Sequence, residues 1–259
     1  LALYHPPHPP VGRDRVSEGR AIILSECQMG SMKISAEAEA TCVRDLRESR
    51  LNTYREMPND VSSHYNDEGE NEENYYGRFA YELIQNADDA VGKVDEENPQ
   101  MARFELQTGD DPYLIVANSG QPVDADDTRA LTTIGDTTKR DAERKATIGH
   151  KGRGFSAVLE ITEQPYVFST DVSFMFDRKR SRECISEVIG EVDEWSMDDI
   201  AGIPLMRLPF APDQCPERVE TLLSGKYETV FYFPLRADAV GDVQQSLEAL
   251  DAQTVLFLQ

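Results

Sequence analysis

The sequence predicts an α+β domain, a two-layer α/β sandwich in which a mixed, mostly antiparallel sheet carries its helices on one face. Three observations predict it. Residues 104–107 and 113–117 have strand patterning around the turn at 109–112, so they read as antiparallel neighbours. Residues 166–169, 172–176 and 228–235 add three further strands far along the chain. The helical runs fall in groups before and between these strands rather than alternating one for one with them, which favours an antiparallel sheet with a helical layer.

Taken in order, residues 1–19 are rich in Pro, His and Arg, as in His5-Pro6-Pro7-His8-Pro9-Pro10, which favours an extended arm or linker. Residues 21–24 fit a short strand at a sheet edge or a buried apolar patch, and the pattern does not choose between them. Residues 36–56 have helical composition, and the acidic stretch 66–74, which lacks apolar periodicity, reads as a loop. A helix is expected over 75–91, because Phe79, Ala80, Leu83, Ile84, Ala87 and Val91 share one broad face at ~100° per residue. A short helix over 125–131 leads into a polar stretch at 135–139, and 148–162 reads as a glycine-rich loop continuing into an apolar helix. Residues 243–250 form a last helix, with 255–258 leading onward. The expected organisation is an arm over 1–35, a domain over 36–236, and the start of a following unit over 237–259.

Charge and composition narrow the function. With 26 basic and 48 acidic residues, 26 − 48 gives −22, a field that repels polyanions and argues against direct nucleic-acid binding. Any phosphate site must therefore rely on local backbone donors, a helix dipole and a metal. No apolar run approaches the roughly 18 residues that a membrane span needs, and nothing resembles a secretory signal. Cys27, Cys42, Cys184 and Cys215 are scattered without zinc-ligand spacing. They fit reduced thiols in a cytoplasmic setting.

Three constellations carry chemistry. Glu82, Asn86 and Asp89 form a stripe bordering the apolar face of the 75–91 helix: a carboxylate for general base work, and an amide oxygen suited to Mg²⁺. By spacing alone, a solvated amphipathic helix is the better explanation of them. Gly149-His150-Lys151-Gly152-Arg153-Gly154-Phe155-Ser156 is a glycine-rich run whose backbone N–H groups can crowd around an anion, or a plain tight turn; it is neither a Walker A loop nor the dinucleotide pattern. Asn118-Ser119-Gly120 ends a strand and offers a polar edge to a flat ring, or simply an ordinary turn.

In this order and at these separations, the three constellations resemble the Hsp90-like ATPase superfamily, also called GHKL or Bergerat-fold, and within it the sacsin-type ATP-binding proteins. The resemblance runs from about residue 54 to 258. It includes Tyr75-Tyr76-Gly77-Arg78, Ile134-Gly135 with Lys139, residues 148–156 and 161–165, and the late strand 229–235. It implies a Bergerat ATP-binding fold and slow hydrolysis of Mg-ATP. Glu82 would be the general base, Asn86 the Mg²⁺ ligand, and Asp89 and Ala90 part of the pocket wall. Gly120 would close the adenine side, and Thr229 would hold adenine through water. Gly149, Gly152 and Gly154, with the backbone of Lys151, Arg153 and Phe155, would cradle the β- and γ-phosphates. The lid would span roughly 132–146 and include Ile134 and Gly135, with Lys139 reaching the phosphates from it.

Asn118 stands where most relatives carry Asp; as a neutral acceptor it implies weaker adenine selectivity. The resemblance further implies lid closure coupled to a homodimer contact or to a downstream domain, and, by analogy, a chaperone-like role or one in defence or DNA transactions. The alternative is a nucleotide-gated interaction module with little or no hydrolysis. A protein-histidine kinase fits less well, since no upstream phospho-acceptor helix is evident.

Overall fold

The computed structural model describes residues 3–4, 23–24, 41–91, 101–133 and 154–250. Its centre is a six-stranded sheet of β3 (Ala102–Gln107), β4 (Tyr113–Asn118), β8 (Thr229–Pro234), β5 (Tyr166–Ser169), β6 (Phe174–Phe176) and β7 (Pro209–Phe210), in that spatial order. Every neighbouring pair is antiparallel. A separate two-stranded pair joins β1 (Leu3–Tyr4) to β2 (Ile23–Leu24), so residues 23–24 are strand.

The α+β two-layer expectation holds. Alternation along the strands sends Phe104, Leu106, Leu114, Val116, Phe231 and Phe233 to one face. There they share a core with Phe79, Ala80 and Leu83 of α3 (Phe79–Val91) and with Val43 of α1 (Thr41–Glu56). Val243 and Leu247 of α7 (Val240–Glu248) enter the same core. One small element lies on the opposite face: α6 (Glu217–Leu223) sets Val219, Leu222 and Leu223 against Ile115, Ala117, Phe168 and Val230. On that face Glu105 is hydrogen-bonded to both Arg103 and Arg218, the first two being almost fully buried. The far end of the sheet is closed by α1 and α5 (Arg178–Gly190), with Tyr54, Met175, Ile185, Ile189 and Phe210 packed together.

Three expectations are corrected. Residues 66–74 are not a loop but the second half of α2 (Asn59–Tyr75). The periodicity went unseen because two of its inward positions are polar: Val61, His64 and Glu68 are buried. His64 pairs through Nδ1 with the Tyr54 hydroxyl at 3.0 Å, and the Glu68 carboxylate accepts from the N–H groups of Leu205 (2.6 Å) and Met206 (2.8 Å). The helix expected from residue 75 begins instead at Phe79, because Gly77 adopts φ +73° and breaks the run. After the glycine-rich run of the sequence the apolar segment is a tight 3₁₀ turn, Ser156–Glu160, rather than a long helix. The helix α4 (Ala125–Thr132) matches its expected span to within a residue.

Candidate functional site

The strands β4, β8 and β5 end together in a row of buried polar side chains. Asn118 pairs with Thr229, and Thr229 with Ser169, so all three project to the helix-covered face at one level. They are 3%, 1% and 2% exposed, which makes them a buried polar floor at the end of the sheet. The backbone N–H of Val123 donates to Ser169 Oγ at 2.9 Å and to Thr229 Oγ1 at 3.3 Å. Asn118 differs from these two: its side-chain amide forms no hydrogen bond with any described residue, and it lines an open cleft.

That cleft lies between α3, α4 and the ends of β4 and β8. Of the residues singled out from sequence, Asn86, Ala90, Asn118, Phe155 and Thr229 line it, brought together from four separate stretches of chain. Phe155 is fully buried, with its ring 5.5 Å from that of Phe231 and 6.1 Å from that of Phe233. Gln121, Val123, Asp127, Leu131 and Phe231 complete the lining and were not foreseen. Two signals could have found them: Asp127 and Leu131 are i, i+4 on one helix face, and Phe231 is two residues from Thr229 on one strand face.

Two glycines bring the walls close. A methyl group built on Gly120 would sit 2.6 Å from the backbone of Ala90, and the Gln121 N–H donates to the Ala90 carbonyl at 3.1 Å. The turn after β4 is thus clasped to the last turn of α3, and only glycine fits there. At the other end, Gly154 is buried, and a methyl group on it would fall on the Glu82 carboxylate. Glu82 is largely buried, with the Arg78 guanidinium 3.9 Å away. A carboxylate therefore lies directly against the backbone where the glycine-rich run resumes. The α4 wall is fixed by Asp124, whose Oδ1 accepts from the N–H groups of Asp126 and Asp127, both at 2.9 Å.

Ile134, Gly135, Lys139, Gly149, Lys151, Gly152 and Arg153 lie outside the described residues, as does the side chain of Asp89. For Mg²⁺ the donor chemistry fits: Asn86 offers one hard amide oxygen in the cleft, and a Mg²⁺ site of this kind takes its other ligands from phosphates and water. Among the described residues Cys42, Cys184 and Cys215 are free thiols, and burial lifts Cys215 to about 11. No helix among the described residues is long and apolar enough to cross a membrane.

Residues 72–258 match the family model described as the Sacsin domain. The chain is also similar to Protein NO VEIN of Arabidopsis thaliana, 35% identical over 100 residues. That match covers 38% of this chain but 3% of the plant protein, so the chain spans a small fraction of this relative's length.

Proposed function

The chain belongs to the sacsin-domain family, and we propose that its cleft binds Mg-ATP and hydrolyses it slowly to ADP and phosphate. The observation that carries this reading is the convergence of Asn86, Ala90, Asn118, Phe155 and Thr229 on one cleft, with the Glu82 carboxylate held against Gly154 at its edge. The purine ring takes the end floored by Asn118 and Thr229, and the phosphates take the end bordered by Asn86 and Gly154. Asn118 presents its amide oxygen to an amino donor on the base, a neutral contact that gives a modest preference for adenine. Mg²⁺ held by Asn86 would neutralise charge on the phosphate oxygens.

Glu82 accepts a proton from the attacking water as its oxygen bonds to the γ-phosphorus. The bond from that phosphorus to the β,γ-bridging oxygen breaks, and ADP leaves with the electron pair. Such a reaction needs positioning and charge stabilisation above all. Closure of the segment around 132–146, and docking of a second copy or a downstream domain, follow the nucleotide state; without a further cation at the γ-phosphate, turnover stays slow.

The test is Glu82→Ala, read by phosphate release and by a nucleotide-binding titration. Removing a general base lowers turnover by roughly 10²–10⁴-fold, with Mg-ATP affinity retained within a few-fold. Undiminished hydrolysis removes Glu82 from its role. A wild-type chain that binds Mg-ATP and releases no phosphate is instead a nucleotide-gated interaction module.

A further inference from the structure

The 3₁₀ turn that follows Gly154 ends in Glu160, and its side chain reaches an element 83 positions away in sequence. Glu160 Oε2 accepts from the N–H of Gly77 at 2.7 Å, and the backbone of Phe79 also draws on the carboxylate. Glu160 therefore acts as a cap on the N-terminus of α3, supplied from the chain that leads out of the phosphate end of the cleft. Its other oxygen, Oε1, is buried and makes no hydrogen bond, so only half of the carboxylate is satisfied.

The same turn is gripped from its other side. Arg236, just beyond β8, donates to the carbonyls of Leu159 and Glu160, and its own N–H donates to Ile161 O at 3.0 Å. The contacts close a circuit. Glu160 holds Gly77; the first turn of α3 runs from there to Glu82, whose N–H bonds to Arg78 O at 3.1 Å; Glu82 lies against Gly154; and Gly154 leads back through the 3₁₀ turn to Glu160.

We propose that Glu160 is a positioning residue that couples the Gly154 end of the cleft to the N-terminus of α3, so that a phosphate held by the Gly154 backbone also fixes the Glu82 carboxylate. This rests on the Mg-ATP reading above. Burial raises the Glu160 carboxyl above the ordinary carboxylate range, Glu72 and Asp242 adding to that rise, while the N–H groups of Gly77 and Phe79 oppose it. The fold thus keeps a half-satisfied acid at this junction, where an apolar side chain would avoid the desolvation.

The experiment compares wild type, Glu160→Ala and Glu160→Gln by hydrogen–deuterium exchange over 77–82 with and without Mg-ATP, together with kcat and KM. In wild type, Mg-ATP slows exchange at Gly77 and Phe79. Glu160→Ala loses that response and kcat falls roughly 10- to 100-fold, as expected for a displaced reacting group, while KM changes by less than about threefold. Glu160→Gln keeps a carbonyl acceptor but not its charge, and recovers to within about threefold of wild-type kcat. If Glu160→Ala does not fold, the wild-type exchange decides the matter, and Mg-ATP binding that leaves exchange at Gly77 and Phe79 unchanged overturns the coupling. A wild-type protein that binds Mg-ATP, with an Ala variant unchanged in exchange and kcat, removes the coupling alone. A wild-type protein that does not bind Mg-ATP removes the nucleotide reading and the coupling together.

Discussion

Among the regions that bury polar side chains, two do so to opposite ends. Where α2 meets residues 203–208, Glu68 is 3% exposed and its carboxylate is taken up by two backbone N–H groups, with the guanidinium of Arg207 4.0 Å away. At the cleft, Asn118 is equally buried, yet its amide bonds to no described residue and lines open space. A buried polar group whose partners are supplied by the fold holds elements together. One that points into a cleft keeps its hydrogen-bonding capacity for a ligand. The difference separates residues whose loss costs stability from residues whose loss costs binding.

The largest expected effect breaks the anchor. Glu68→Leu leaves Arg207 buried without its fully buried carboxylate neighbour, and should destabilise the domain by about 3–5 kcal/mol in urea unfolding. The pH dependence sharpens the contrast with a second buried acid, Glu105. Desolvation raises Glu68 from an ordinary 4.5 to about 7, against the opposing pull of the Leu205 and Met206 N–H groups, Arg207 and Arg178. A folded value above the unfolded one means that the contribution of Glu68 is fully present below about 4.5 and is lost as pH rises through about 7. Burial pushes Glu105 the same way, but Arg218 and Arg103 outweigh it and bring the carboxyl below its ordinary value. The contribution of Glu105 is therefore present above the unfolded carboxylate range and is lost as pH falls through its lowered folded value. Unfolding across pH 3–8 should show Glu68→Gln flattening the limb between pH 4.5 and 7, and Glu105→Gln flattening only the acid limb. Limbs that exchange places would reverse the assignment.

At the cleft the expectation runs the other way. Asn118→Ala should weaken Mg-ATP binding by about 10- to 100-fold, the equivalent of losing one or two good hydrogen bonds in a desolvated site. Unfolding free energy should change by less than about 1 kcal/mol, because no protein partner is orphaned. A loss of stability with binding intact would show that Asn118 serves the sheet rather than a ligand.

How much of this was legible in the sequence follows from the same distinction. The strands β3, β4, β5, β6 and β8 and the body of α3 declared themselves because their inward positions are apolar at period 2 or 3.6, as with Leu114 and Val116 or Phe79 and Leu83. The cleft residues Asn86, Asn118 and Thr229 were legible through a resemblance in the order and spacing of motifs; their periodicity alone left ordinary alternatives open. The helix α2 was hidden because His64 and Glu68 occupy core positions, and their partners Tyr54, Leu205 and Met206 lie 10 to 138 residues away. The helix α5 escaped because its first turns are Arg- and Lys-rich and only Ile185, Val188 and Ile189 mark its buried side. The circuit through Glu160 has no local signature at all, since the contact with Gly77 joins two segments that the fold alone brings together.

The smallest expected effect concerns a residue outside both regions that still acts on one of them. Asp124 is exposed, and as the N-cap of α4 it binds the N–H groups of Asp126 and Asp127. Asp124→Ala removes the cap and should cost about 1 kcal/mol in stability. The same helix carries Asp127 and Leu131 into the cleft wall, so fraying of its first turn loosens Asp127 more than Leu131 one turn further on. Mg-ATP binding should then weaken by roughly twofold, measured by titration beside the unfolding curve. Equal binding with the full loss of stability would make α4 a rigid wall whose position the core sets through Leu131. Weaker binding with little loss of stability would make its first turn part of the moving side of the cleft, and would place the boundary between anchor and site inside a single helix.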